Sequence, residues 1–197
     1  AARIALGRRL FRDADLSLDG TMSCASCHDP AKSFADSVRS RPGVHGDPGL
    51  RNAPSLLNVA WLSPLTWGDA GLTSLEAQAI VPITGEDPVE LGMKGQEAEL
   101  ARRLSANRCY RKLFRKAFPQ TKGRMDFVSV AQALAAFQRT IVSYDTAWDR
   151  ARQGGEPLGL EARRGEQIFG AVCASCHVGA HFTDMRFHRL PDNPNDT

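Results

Sequence analysis

The sequence predicts a mainly α-helical chain built from two similar modules, the second of them incomplete. Three observations predict it. Apolar residues recur at helical spacing, most clearly Phe127, Val130, Leu134, Phe137 and Ile141, at steps of 3, 4, 3 and 4. The pattern G-x-x-[LI]-F … C-A-S-C-H … F-x-D occurs twice. No alternating strand pattern stands beside either copy. Composition agrees with one domain or two small ones: 197 residues, 42% hydrophobic and 24% charged, which argues against a disordered or fibrous chain. A net charge of +3, with acids and bases interspersed, is too mild to argue for nucleic acid. No apolar run approaches the ~20 residues of a membrane helix, so no membrane span is expected. With 7% aromatic residues, 17 Gly and 11 Pro, the apolar core is modest, and such a chain needs a staple beyond its own side chains.

The cysteines identify the staple. Cys24-Ala25-Ser26-Cys27-His28 and Cys173-Ala174-Ser175-Cys176-His177 are identical pentapeptides. C-x-x-C-H is the attachment signature of a c-type haem. Two thiols one helical turn apart can add to the two vinyl groups of one porphyrin, and the next residue, His, then faces the iron as its proximal ligand. A zinc ribbon wants its C-x-x-C pairs roughly 15–20 residues apart, whereas 145 residues separate Cys27 from Cys173. A disulfide framework would leave both histidines unexplained. Two covalent haems are therefore expected, on Cys24, Cys27 and His28 and on Cys173, Cys176 and His177. The fifth cysteine, Cys109, reads as a buried small hydrophobe, with a reactive thiol as the alternative.

The elements follow in order. Residues 3–12 read as a helix leading to the first motif. Cys24 lies 17 positions after Gly7, whereas Cys173 lies 8 after Gly165. From Pro30 to about Leu72 there is little periodicity, and a loop of this length inside a compact domain is usually functional. Thr73-Ser74-Leu75-Glu76 forms a capping box that opens a helix over 74–81, with Pro82 at or just past its end. Residues 96–105 and 108–117 read as two more helices. Asp126 N-caps the striped helix, whose apolar face belongs to a core. Trp61 and Trp148 read as core packing. The polar, Gly-rich stretch 150–159 marks a boundary between domains at 1–149 and 150–197. A helix over 160–170 leads to the second motif. Only 20 residues follow His177, too few for the further helix such a module needs, so the second domain is expected to be incomplete here. The helix, haem turn and repeated unit together resemble the cytochrome c fold, giving two cytochrome c-like domains with long irregular loops.

With these residues in hand, the chain resembles the bacterial di-haem cytochrome c peroxidase superfamily, which includes the MauG-type maturation enzymes. The resemblance rests on both C-A-S-C-H motifs, Arg51-Asn52-Ala53-Pro54-Ser55, Trp67, Leu75-Glu76-Ala77-Gln78-Ala79 with Pro82, and Pro88-Val89-Glu90-Leu91-Gly92-Met93. Within the superfamily it most resembles the methanobactin-associated di-haem enzymes, which act with peroxide on a copper-binding partner protein. The resemblance implies that the first haem is peroxidatic and that Glu90 is its distal proton-moving carboxylate. It further implies that Gln78 and Pro82 line the distal pocket and that Trp67 relays charge between the haems. Asn52 would ligate a calcium ion whose other ligands lie beyond residue 197. The family usually has W-D-G-R where this chain has Trp67-Gly68-Asp69-Ala70. His45 lies near the loop position where some members carry a removable haem ligand, one residue closer to Asn52; read from the residues alone it is a surface-loop histidine. Met185, His181 and His188 are the nearby candidates for the second haem's sixth ligand and read as bystanders.

The function implied is that of a di-haem c-type oxidoreductase using hydrogen peroxide to oxidise a partner protein at a distance. One alternative is a peroxidase drawing electrons from a small cytochrome or cupredoxin. A second is a non-catalytic di-haem electron carrier, which would have no use for a distal Gln78, Pro82 and Glu90. Haem is attached to c-type proteins outside the cytoplasm, so the periplasm is the expected location. The chain starts at Ala1-Ala2-Arg3 without a charged-then-apolar leader, and the expectation is that one was removed.

Overall fold

The computed structural model describes residues 1–188. Residues 189–197, the end of the second expected domain, lie outside the described residues. The chain forms two compact units that part between Ile141 and Val142. The sequence reading put the boundary at 150 because glycines cluster there. The structure instead places Trp148 with the second unit, where its ring packs 5.1 Å from that of Phe182.

In the first unit, α1 (Ala2–Leu10) buries Leu6 and Leu10, and α2 (Cys24–Cys27) is a single turn carrying the first motif. Then follow α3 (Leu75–Thr84), α4 (Glu97–Ala106), α5 (Arg108–Ala117) and α6 (Phe127–Gln138). Among the described residues the only β pairing is an isolated bridge between Asp29 and Ala35. The α6 cap forms as expected: the Asp126 carboxylate accepts the Ser129 N–H at 2.8 Å, and Ser129 Oγ accepts the Asp126 N–H in return. Val130, Leu134 and Phe137 then line the core with Leu6, Leu10 and Phe11. The crossing of α1 and α6 is close. A Cβ at Gly7 would stand 1.9 Å from the Ala133 carbonyl oxygen, so only glycine fits.

Four details depart from the sequence reading. Pro82 lies inside α3, which runs to Thr84. Its last carbonyls are satisfied from outside the helix: Val81 accepts from Gly85, Pro82 from Leu91 and Ile83 from Met93. These donors satisfy the end of the helix, which closes two residues past the proline. At the other end the N-cap is Ser74, not Thr73, so Ala77 takes the place a reciprocal partner would need, and Glu76 instead makes a two-pronged pair with Arg139 at 2.7 and 2.9 Å. Cys109 is exposed, not buried. It sits in the first turn of α5, whose buried face is Tyr110, Phe114 and Ala117. Trp61 is likewise half exposed.

The second unit contains α7 (Ala147–Arg152) and α8 (Leu160–Val172), followed by the second motif. Thr146 and Asp149 form the capping box of α7. No residue of α8 is buried. Trp148, Phe169 and Phe182 form its aromatic cluster, and Trp148 Nε1–H donates to Glu166 at 3.0 Å.

Candidate functional site

The first motif is held from both sides. Ser23 and Ser26 cap α2 reciprocally, which fixes Cys24 and Cys27 one turn apart. The Ala25 N–H donates to the Phe11 carbonyl at 3.0 Å, tying the turn to the end of α1. His28 Nδ1 lies 3.0 Å from the Phe34 carbonyl and 3.1 Å from the Pro54 carbonyl. Carbonyls only accept, so Nδ1 carries the proton and Nε2 keeps its lone pair. Burial also holds His28 below the ordinary histidine pKa, favouring the neutral ring. A neutral imidazole anchored through its other nitrogen is the form that ligates a metal. Burial pushes the Cys24 thiol up to about 12 and raises Cys27 as well. An apolar turn with two thiols and an oriented imidazole fits a covalently bound haem.

The second motif repeats these bonds. The Ala174 N–H donates to the Phe169 carbonyl at 3.0 Å, as Ala25 does to Phe11. His177 Nδ1 lies 2.9 Å from the Phe182 carbonyl, as His28 does from Phe34. Phe11 and Phe34 meet edge to face at 5.9 Å, Phe169 and Phe182 at 5.6 Å. Phe34 and Phe182 both adopt the left-handed conformation, with φ of 58° and 54°. The Asp36 carboxylate accepts the Val38 N–H at 3.2 Å, and Asp184 accepts that of Arg186 at 3.0 Å. The phenylalanines, the histidine and the aspartate of G-x-x-[LI]-F … C-A-S-C-H … F-x-D thus have the same local tasks twice, whereas Leu10 is buried and Ile168 is exposed. The copies differ where the sequence does. Val172 stands in place of Ser23, so the second turn lacks the reciprocal cap.

Glu90 faces the first motif. The segment 88–93 runs back along the end of α3, where the Leu91 N–H donates to Pro82 and the Met93 N–H to Ile83. Leu91 and Met93 turn inward and are buried, whereas Glu90, just before Leu91, stays at the surface. Its charge raises the pKa of both Cys24 and Cys27, so the three groups share one neighbourhood. The Glu90 side chain is reachable by solvent, yet enough protein surrounds it that desolvation raises its own carboxyl pKa. Gln78 lies four residues before Pro82 on α3 and so on the same side of that helix.

The loop 36–49 clasps this segment. The Val44 N–H donates to the Glu90 carbonyl at 2.9 Å, and the Val89 N–H to the Asp47 carboxylate at 3.2 Å. A Cβ on Gly43 would stand 1.8 Å from the Val89 carbonyl oxygen. Sequence reading singled out His45 in this loop and passed over Gly43 and Asp47; the density of glycines around them was the available signal for close backbone approach. His45 is exposed, with its ring beside Gly92.

Trp67 and the Arg51-Asn52 segment meet. The indole N–H donates to the Asn52 carbonyl at 2.9 Å, and the Arg51 guanidinium lies 5.9 Å from the ring centre. Trp67 is about half exposed. Among the described residues no three His, Cys, Asp or Glu side chains cluster as a metal site, so the calcium expected at Asn52 gains no ligand set here. In the second unit His188 pairs with the Asp184 carboxylate at 2.8 Å, and the Met185 N–H donates to the Thr183 hydroxyl.

Residues 1–157 match the family described as di-haem cytochrome c peroxidase, of the CCP and MauG type. The methylamine utilization protein MauG of Methylorubrum extorquens is 40% identical over 191 residues, covering 95% of this chain and 52% of that protein. The cytochrome-c peroxidase IdrP1 of Denitromonas iodatirespirans is 36% identical over 202 residues, covering 99% and 52%. A crystal structure of a MauG-like protein associated with microbial copper homeostasis superposes with a TM-score of 0.86 at 36% identity, covering 96% of this chain and 57% of that one. The chain spans about half the length of the curated relatives it matches.

Proposed function

Since the chain belongs to the di-haem cytochrome c peroxidase family, we propose that it is the peroxide-activating part of a periplasmic di-haem enzyme that oxidises a partner protein. The observation that carries this reading is Glu90, a carboxyl with a raised pKa sharing the neighbourhood of Cys24 and Cys27. When bound, the haem supplies the iron at which the peroxide O–O bond breaks and the oxidising equivalents are held. His28 would hold that iron through Nε2, its Nδ1–H being fixed by the Phe34 and Pro54 carbonyls. Glu90 takes the proton from one peroxide oxygen and returns it to the departing one. A carboxyl pKa raised toward working pH suits both halves of that transfer. Gln78 and Pro82 shape the wall beside it, and Trp67 carries an electron during turnover.

Glu90→Gln tests the reading. Its reaction with peroxide, followed by stopped-flow absorbance, is expected to slow by about 10²–10⁴-fold, with the haem spectra unchanged. Wild-type kinetics in that variant would remove Glu90 from its role.

Likeness to MauG proteins and to the MauG-like copper-homeostasis protein supports a protein substrate, for which a copper-binding protein is the candidate. Likeness to IdrP1 supports the second reading, a peroxidase fed by a small cytochrome or cupredoxin. Peroxide added with the candidate partner, then mass spectrometry of that partner, separates them. An oxidised Trp or Tyr is expected; an unmodified partner beside rapid oxidation of a reduced cytochrome would favour the peroxidase.

A further inference from the structure

Several cations of the first unit are matched by acids. Arg41, Lys94, Arg102, Arg103, Arg124 and Arg139 each pair with a carboxylate. Helices α1 and α5 differ. The first holds three arginines, the second three arginines and two lysines, and neither contains Asp or Glu; Arg12 follows α1 directly. Among the described residues, none of these nine cations takes part in an ion pair. Charges that look interspersed along the sequence are thus gathered in space, because α1 packs against α5.

Between the two helices runs an open groove of about 540 Å³, lined by Ala5, Arg8, Arg9, Arg12, Asp13 and Leu113. Asp13 is its one carboxylate, and it accepts the Tyr110 hydroxyl. Arg9 lies over the Tyr110 ring, 5.0 Å from its centre. Arg8 and Arg12 stay exposed on the rim. Lys116 follows Leu113 by three residues and flanks the same side. On α5, Arg108 and Lys112, Arg111 and Arg115, and Lys112 and Lys116 are like charges four residues apart, which repel. The arrangement therefore weakens the isolated helix, and an acidic partner would relieve the repulsion.

The form of the surface selects the anion. Neither helix exposes a large apolar side chain that could enter a lipid surface, nor an aromatic ring on which a base could stack. Seven of the nine cations are arginines, whose planar fork matches carboxylates two bonds at a time. We propose that the α1–α5 flank docks a protein partner presenting a cluster of Asp and Glu side chains. The proposal does not depend on the role of Glu90.

The test titrates the full-length holoprotein with a fluorescent oligoglutamate peptide at low ionic strength. Arg12→Glu/Lys112→Glu is compared with a control reversal in the second unit, Arg163→Glu/Arg164→Glu; all four side chains are exposed. The flank variant is expected to bind about tenfold more weakly, the control about as tightly as wild type, with wild-type affinity falling as salt rises. Arg8→Gln/Lys116→Gln serves the same purpose if the first variant folds poorly. Undiminished binding in the flank variants, or equal loss in the control, would overturn the proposal. So would tighter binding of phosphatidylglycerol vesicles or of a single-stranded oligonucleotide of the same charge.

Discussion

Glu90 owes its raised pKa to one cause, desolvation, and the direction sets a pH profile. A protonated Glu90 cannot accept the peroxide proton. The rate of the peroxide reaction should therefore fall as pH drops through the raised pKa, with a midpoint above the ordinary glutamate value of 4.5. Glu90→Gln should lack that limb, which a pH series of stopped-flow traces would reveal. Cys109 makes a different point. Its type predicts burial, but its position one residue before Tyr110 turns it away from the core face of α5, and position decides. In the holoprotein Cys24, Cys27, Cys173 and Cys176 are expected to be thioethers, so within residues 1–197 a thiol reagent should label Cys109 alone, as peptide mass spectrometry would show. Cys109→Ser should abolish that reaction while shifting stability by less than about 0.5 kcal/mol. No reactive thiol in the folded wild type would contradict the exposed placement.

Helices were legible because their period is written in side chains. Residues 108–117 and the Asp126 cap are read directly from the sequence. The loop around Glu90 was not legible, because what positions it, the Asp47 carboxylate aside, is main chain: Val44 to Glu90, Leu91 to Pro82, and Leu18 to Leu91 at 2.8 Å. Peptide groups leave no mark in residue type, except where Gly43 must let two backbones touch. The two helices that precede the haem turns offer a contrast of the same kind. Gly7→Ala drives a methyl into the Ala133 carbonyl and should cost about 3 kcal/mol. Gly165, its counterpart in the repeat, has nothing within 4 Å of an added Cβ. In this 197-residue chain Gly165→Ala should be neutral, or stabilising by up to about 1 kcal/mol through helix propensity. Thermal melts of the two variants check both.

At the scale of the molecule, the repeat carried the reading furthest. Identical letters foretold two modules, and the same carbonyl and aromatic contacts recur around both histidines. The unit boundary was harder to read, since glycines mark flexible backbone whereas the packing of Trp148 decides membership. If each motif binds haem on its own, Cys173→Ser/Cys176→Ser should lose one covalent haem by intact-mass spectrometry and keep the other, with the Glu90-dependent peroxide spectrum in the remaining haem. Loss of both would mean that the modules load together. The clasp on Glu90 bears on how such a chain can drift. A catalytic carboxylate held by side-chain partners would tie each of them to a fixed identity. One held mainly through amides and carbonyls, with the Asp47 carboxylate as a side-chain anchor, leaves the other neighbours of Gly43 free to vary, so that much of the loop can be rewritten while the acid stays where it is. Sequence divergence there would then record little about whether the chemistry has changed.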